Sequence, residues 1–234
     1  MAAGAEISEI QLLLSFYHAL GFESLPFALQ GEGGAGMVSD RGEKGSRLTQ
    51  LREHIGDCRR CKLSAHRSNL VFGAGNPDAK LMFIGEAPGK EEDLRGLPFV
   101  GDAGMLLTRL ITKMGMEREE VYIANIIKCR PPMNRDPEDD EIAACRGFVE
   151  KQIEIIRPRI IITLGRIALQ ALMKMPKVRI SSARGQFHDY EGIPVMPTFH
   201  PAYLLRNPRD KVLTWADAQK VMSKLAASPR EDCL

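Results

Sequence analysis

The sequence has no apolar run near the roughly 20 residues that a membrane-spanning helix needs. Its first residues carry no basic segment of the kind that opens a secretory signal. These two absences predict a cytoplasmic protein without a membrane partner. Cysteine is also scarce, with 5 residues in a chain of 234. In a reducing compartment few cysteines form disulfides, and grouped cysteines more often bind metal or take part in catalysis.

The formal charge is close to balanced, at +2, but it is unevenly distributed. Residues 1–46 hold six acidic and two basic side chains, a net charge of −4, so the remainder carries +6. A mildly basic body fits a nucleic-acid partner without requiring one.

The composition divides the chain into three segments. Apolar residues recur at helical spacing from Ile7 to Leu20, and residues 31–46 are glycine-rich and polar, as in a flexible linker. We therefore predict an N-terminal helix and acidic linker over residues 1–46, a main domain over 47–228 and a tail over 229–234. An unidentified protein partner for residues 1–46 stays open.

In the main domain, short segments rich in Ile, Val, Phe and Met alternate with helical patterns. The order β-α-β-α-β-α-β predicts a single three-layer α/β/α domain with a central, mainly parallel four-stranded sheet. The predicted strands cover residues 80–84, 121–125, 159–164 and 194–199. The predicted helices cover residues 103–113, 138–156, 166–173 and 214–226.

Polar side chains follow three of these strands. Glu86, Asn125 and His200 each stand at or just after a strand end. Sheets of this kind bind ligands at the carboxyl ends of their strands, so we expect the three side chains to meet at one rim. Taken alone, the asparagine could instead cap a turn and the histidine could be structural.

A phosphate-binding loop is excluded for the stretch from Gly85 to Lys90. The P-loop pattern is G-x-x-x-x-G-K-[ST]. Here the second glycine comes one residue early, and Glu91 follows the lysine.

Three motifs, in order, resemble those of the family 4 uracil-DNA glycosylases. They are G-E-A-P-G at 85–89 with G-L-P-F-V-G at 96–101, N-I-I-K-C-R-P-P at 125–132, and F-H-P-A-Y-L-L-R-N-P at 199–208. The resemblance runs from about residue 48 to 224. It implies an enzyme of base excision repair that flips uracil out of DNA and hydrolyses the N-glycosidic bond. We expect a monomer that is associated with the nucleoid when it is bound to DNA. The alternative is a non-catalytic module that binds damaged or single-stranded DNA.

The resemblance implies roles for individual residues. Asn125 would read the uracil edge, since an amide offers both a donor and an acceptor, and Phe99 would stack on the base. His200 would stabilise the negative charge that develops on uracil O2. Glu86 would face the sugar and orient water. The family 1 motif has an aspartate at the position of Ala87, and this chain lacks it. Catalysis would therefore depend on stabilisation of the departing uracil and on Glu86.

Other positions would shape the pocket and hold the DNA. Gly85 and Ala87 would line the uracil site, and Glu92 would exclude the 5-methyl group of thymine, although it could equally be an exposed acid. The loop with Leu204, Leu205 and Arg206 would enter the DNA and fill the space left by the extruded base. Alternatively, both leucines begin a buried helix.

Relatives that trap uracil covalently carry a histidine in a basic insertion after the middle motif. Residues 133–140 read M-N-R-D-P-E-D-D, with no insertion and no histidine. We therefore predict turnover.

Four cysteines have a spacing that suits a metal centre: Cys58-x2-Cys61, Cys129 and Cys145. Four thiolates can hold zinc or an iron–sulfur cluster, and spacing alone slightly favours zinc. The resemblance implies a [4Fe–4S] cluster with a structural role. Cys233 is predicted to take no part.

Overall fold

The computed structural model describes residues 40–227. The chain separates into two compact units, Met1–Met37 and Val38–Leu234, and the fold reported below belongs to the second. The predicted N-terminal helix, most of the linker, Cys233 and the predicted tail lie outside the described residues.

A six-stranded sheet forms the centre of the domain, in the order β1-β3-β2-β4-β6-β5. β3, β2, β4 and β6 run parallel, and β1 and β5 pair antiparallel at the two edges. The predicted α/β architecture is confirmed, with two edge strands added. These strands have two and three residues, too few for a recognisable alternating pattern. The strands are β1 (Ala74–Gly75), β2 (Leu81–Gly85), β3 (Tyr122–Asn125), β4 (Ile160–Leu164), β5 (His188–Tyr190) and β6 (Ile193–Thr198).

Eight α-helices lie within residues 40–227, including all four that the sequence predicts. None of those eight is both long and apolar enough to cross a membrane. The helices are α1 (Asp40–Ile55), α2 (Lys90–Arg95), α3 (Asp102–Lys113), α4 (Asp139–Ile156), α5 (Arg166–Met173), α6 (Ile180–Ala183), α7 (Pro201–Arg206) and α8 (Lys211–Ala227).

The first of these helices corrects the linker prediction. α1 begins at Asp40, so residues 40–46 are helical rather than part of a flexible linker. Lys44 explains part of the difference, because its Nζ donates to the backbone oxygen of Ile156 (3.2 Å) and pairs with Asp78 (3.5 Å). These contacts with distant residues override the low helix propensity of the local glycines.

Alternate side chains of the strands build a hydrophobic core on each face of the sheet. Met82 and Ile84 belong to one core, and Leu81 and Phe83 of the same strand belong to the other. The first core includes residues of α1, α4 and α5, and the second includes residues of α3 and α8. The helices therefore cover both faces, as a three-layer domain requires.

The register of the parallel strands brings their carboxyl ends to one edge. Gly85 pairs with Asn125, and Leu164 pairs with Thr198. The backbone continues this pairing past the strands, since Ile126 N donates to Gly85 O at 2.9 Å. The loops that follow β2, β3 and β6 therefore start at the same edge of the sheet.

Candidate active site

A cavity of about 380 Å³ opens at this edge of the sheet. Its volume lies within the usual range for small-molecule sites. The structure brings together in its wall most of the predicted site residues: Glu86, Ala87, Glu92, Phe99, Asn125, His200 and Arg206. The sequence analysis did not single out several others, notably Pro131, Asn134, Arg135, Asp136 and Tyr203.

The side chain of Asn125 is the most unusual polar group in the cavity. It is 1% exposed, and its Oδ1 atom has no hydrogen-bond partner among the described residues. Its backbone oxygen, by contrast, accepts a hydrogen bond from Lys128 Nζ at 2.9 Å. A buried acceptor without a donor costs about 1–3 kcal/mol, which a ligand donor would recover.

Gly85 keeps the approach to this oxygen open. A Cβ at that position would lie 2.4 Å from Asn125 Oδ1 and 2.6 Å from Phe99 Cζ. The Asn125 amide and the edge of the Phe99 ring therefore both occupy the space that a side chain at position 85 would fill. The Phe99 ring centroid is also 5.7 Å from that of His200. Together the three side chains surround a narrow slot.

The ring of His200 is fixed by the start of α7. His200 caps this helix, and its Nδ1 accepts a hydrogen bond from the backbone N of Ala202 at 3.1 Å. A neutral imidazole that accepts at Nδ1 carries its proton on Nε2. Burial, with a contribution from the Arg206 cation, lowers the pKa of His200 to about 4, although Glu92 opposes the shift. The ring is therefore a neutral donor at physiological pH.

Glu86 has the opposite shift. Burial, together with the nearby charge of Asp136, raises the pKa of Glu86 to about 7, and Arg166 partly offsets this effect. Arg166 Nη2 donates to Asp136 Oδ2 at 2.8 Å, so the two charged neighbours form a pair. A carboxyl that titrates near neutrality in a cleft is a candidate for acid–base chemistry.

Glu92 holds the first motif together. Its carboxylate accepts hydrogen bonds from the backbone N atoms of Gly89 (3.1 Å), Val100 (2.8 Å) and Gly101 (3.0 Å). These bonds join the G-E-A-P-G segment to the segment that carries Phe99. Glu92 also lines the cavity. Its exclusion of the 5-methyl group of thymine stays a prediction, in addition to the structural role of these hydrogen bonds.

The two leucines of the last motif point to different environments. Leu204 is 4% exposed and packs inside the domain, which contradicts the prediction that it enters DNA. Leu205 is 43% exposed. Consecutive residues of a helix lie on different faces, and both leucines belong to α7. Leu205 and Arg206 are thus the exposed members of the predicted DNA-contacting group.

Cys58, Cys61, Cys129 and Cys145 line a second, smaller pocket. All four are free thiols. The sulfur of Cys58 accepts a hydrogen bond from the Arg60 guanidinium (3.3 Å), that of Cys129 from the Arg67 guanidinium (3.4 Å) and that of Cys145 from the Lys128 backbone N (3.3 Å). These donors favour the thiolate form that binds metal, but burial outweighs them and raises the pKa of the Cys129 thiol and, to about 11, that of the Cys145 thiol. Within residues 40–227, no group of three or more His, Cys, Asp or Glu side chains is arranged around a single ion.

Comparison with known proteins gives consistent matches over the domain. Residues 72–225 match the family model for the uracil DNA glycosylase superfamily. The chain is 47% identical to the type-4 uracil-DNA glycosylase of Saccharolobus solfataricus over 190 residues, which cover 78% of this chain and 88% of that protein. It is 48% identical to the type-4 enzyme of Thermotoga maritima over 174 residues, covering 73% and 91% of the two chains. With the type-4 enzyme of Sulfurisphaera tokodaii it shares 44% identity, over 78% and 86%.

We predict that the His200 imidazole stays mostly neutral, with its proton on Nε2, down to about pH 5, because its pKa is about 4. Proton–nitrogen NMR spectra of the ¹⁵N-labelled histidine rings between pH 8 and 4 would measure this. His200→Gln assigns the signal. A protonation midpoint near 6.5, or a proton on Nδ1, would contradict the prediction.

Proposed function

The chain belongs to the uracil-DNA glycosylase superfamily, and within it to the type 4 enzymes, and from this premise we propose that it removes uracil from DNA and leaves an abasic site. The observation that carries the proposal is the unpaired oxygen of Asn125 beside Phe99 and His200. An enzyme that acts on a base must take it out of the stack and receive it in a fitted pocket. The cavity of about 380 Å³ has room for a pyrimidine.

Asn125 distinguishes uracil from cytosine. Uracil presents a donor at N3 and an acceptor at O4, which complement the Oδ1 and Nδ2 atoms of the amide. Cytosine presents an acceptor at N3 and a donor at N4, so both contacts would be mismatched. A buried Asn125 Oδ1 that is unpaired, or that faces the N3 acceptor of cytosine, raises the free energy of the complex. This difference favours uracil over cytosine.

His200 and Glu86 divide the chemistry of bond cleavage. As the C1′–N1 bond breaks, the electron pair leaves with uracil, and the neutral Nε2–H of His200 donates to the O2 atom where charge develops. Water adds to C1′ and gives up its proton to the Glu86 carboxylate. The ionised carboxylate also stabilises positive charge on the sugar, as in other glycosidic cleavages.

Exposed side chains at the cavity rim contact the DNA. Leu205 is the apolar side chain on α7 that can replace the extruded base, and Arg206 can bind a phosphate. Met133, which directly follows the middle motif, is 94% exposed and precedes the cavity-lining residue Asn134.

We further propose that the four cysteines hold a [4Fe–4S] cluster. Their shared pocket and the hydrogen bonds to three sulfurs fit thiolate ligands. The cluster would cross-link the segment before β1 to the loop after β3 and to α4. Its role would be structural, because hydrolysis of the glycosidic bond needs no electron transfer.

We predict that the wild-type protein, at a tenth of the substrate concentration, cleaves all of an end-labelled oligonucleotide at a single uracil after alkali treatment. A matched oligonucleotide with thymine should stay intact. His200→Gln should lower kcat by about 10²–10³, the effect of losing one oxyanion donor. His54→Gln removes an exposed histidine from α1 and should have no effect. A uracil-dependent gel shift without abasic sites would instead identify a binding module.

The rate should rise with pH up to about 7 and then level off, because Glu86 acts as a carboxylate and its pKa is about 7. Single-turnover rates between pH 5 and 9 measure this. Asp136→Asn should move the acid limb to lower pH and Arg166→Gln to higher pH, since these neighbours respectively raise and lower the Glu86 pKa. Glu86→Gln should be slower and lose the limb. If the limb persists in Glu86→Gln, the assignment is wrong.

Protein purified without oxygen should contain about four iron and four sulfide ions per chain, with broad visible absorbance. Cys145→Ser should lose most of the iron, because this buried ligand sits on α4. Cys233→Ser is the matched control and should keep the iron. One zinc per chain and no sulfide would overturn the cluster proposal.

A further inference from the structure

The backbone of Phe99 adopts a conformation that needs external support. Its φ angle is +51°, in the left-handed region that residues with a side chain rarely occupy. The residue is 6% exposed, so its ring and peptide are both enclosed. Strained conformations of this kind persist where the surroundings fix them, and they cluster at functional sites.

Arg118 supplies one side of that support. It lies in the 3₁₀ turn Arg118–Glu120 between α3 and β3. Its Nη2 donates to the backbone oxygens of Pro98 (2.6 Å) and Phe99 (3.0 Å). Its Nη1 donates to Thr108 Oγ1 at 3.0 Å, so the guanidinium is itself anchored to α3.

Gly104 of α3 closes the other side. A Cβ at this position would lie 2.0 Å from the Phe99 backbone oxygen and 2.1 Å from its carbonyl carbon. The helix backbone therefore packs directly against the Phe99 peptide. With Arg118 bound to the same oxygen, the carbonyl has little freedom to rotate, and the direction of the Phe99 side chain follows from the direction of its backbone.

Arg118 is separate from the catalytic groups. It does not contribute to the lining of the active-site cavity. Two of its three hydrogen bonds go to the carbonyl oxygens of the peptide links before and after Phe99, and the third goes to the helix that packs against Phe99. Arg118 therefore acts on the pocket through the backbone of Phe99, and its charge also interacts with Glu92 of the cavity wall.

We propose that Arg118 is a positioning residue that holds the Phe99 ring at the angle needed to stack on the flipped uracil. The proposal rests on the uracil-DNA glycosylase activity proposed above. Arg118 lies outside the three motifs, and its role would be to keep the Phe99 ring in position before the base enters the pocket. Pre-positioned contacts of this kind raise the rate because the bound base need not order them.

A double-mutant cycle tests the proposal on the full-length protein. The variants are Arg118→Met, Phe99→Ala, the double variant and Arg118→Lys, and kcat and KM are measured on an oligonucleotide with one uracil. We expect Arg118→Met to lower kcat/KM by about tenfold or more, a part of the stacking contribution. In the Phe99→Ala background the same change should have less than a twofold effect. Arg118→Lys, which can donate to the same oxygens, should restore part of the activity.

Arg109→Met is the matched control, because it removes the same charge from an exposed position on α3. It should leave kcat/KM unchanged. Melting temperatures separate loss of fold from loss of position. If Arg118→Met is unstable, Thr108→Val provides the second probe, since it removes the hydroxyl that anchors the Arg118 guanidinium to α3. The activity that it loses should also vanish in the Phe99→Ala background.

The outcomes separate the two proposals. An active wild type in which the Arg118→Met loss multiplies fully with that of Phe99→Ala would overturn the positioning role and leave the activity intact. A stable, fully active Arg118→Met protein would do the same. An inactive wild type would overturn the proposed function and this inference with it.

Discussion

The unpaired side-chain oxygen of Asn125 is the constraint on which the rest of the active-site structure depends. Leaving this buried acceptor unsatisfied costs about 1–3 kcal/mol, and the fold has to supply that energy elsewhere. Lys128 anchors the end of β3, because its Nζ donates to the backbone oxygen of Asn125 and also to Gln152 Oε1. Lys128 is itself buried, and its backbone N donates to Cys145. The cysteine pocket and the uracil slot are therefore supported by one buried lysine.

The same burial explains both functional pKa shifts. Removing water disfavours the charged form of any group, which lowers the pKa of His200 to about 4 and raises that of Glu86 to about 7. The first shift leaves a neutral donor toward the leaving base. The second leaves a carboxyl whose ionisation state changes near neutral pH. One desolvated cavity thus gives two groups different tasks, and charged neighbours adjust each of them.

Patterns in the sequence predicted what depends on local periodicity and on the sheet rule. The four parallel strands, the helices α3, α4, α5 and α8, and the meeting of Glu86, Asn125 and His200 all follow from that reasoning. Contacts between distant segments were not predictable, because no local pattern signals them: Asp136 beside Glu86 and Arg118 beneath Phe99 are examples. The different exposures of Leu204 and Leu205 depend on where α7 starts, which the sequence pattern does not fix to one residue. The helical start of residues 40–46 similarly depends on tertiary contacts of Lys44.

In the proposed function, the slot between Asn125, Phe99 and His200 is formed before uracil arrives. A crystal structure of the wild-type protein with free uracil tests this claim most directly. We expect uracil N3 to donate to Asn125 Oδ1 and uracil O2 to accept from His200 Nε2. The uracil ring should lie on Phe99, with the three side chains unmoved. Uracil bound elsewhere, or in this slot only after Asn125 or Phe99 has changed rotamer, would contradict it.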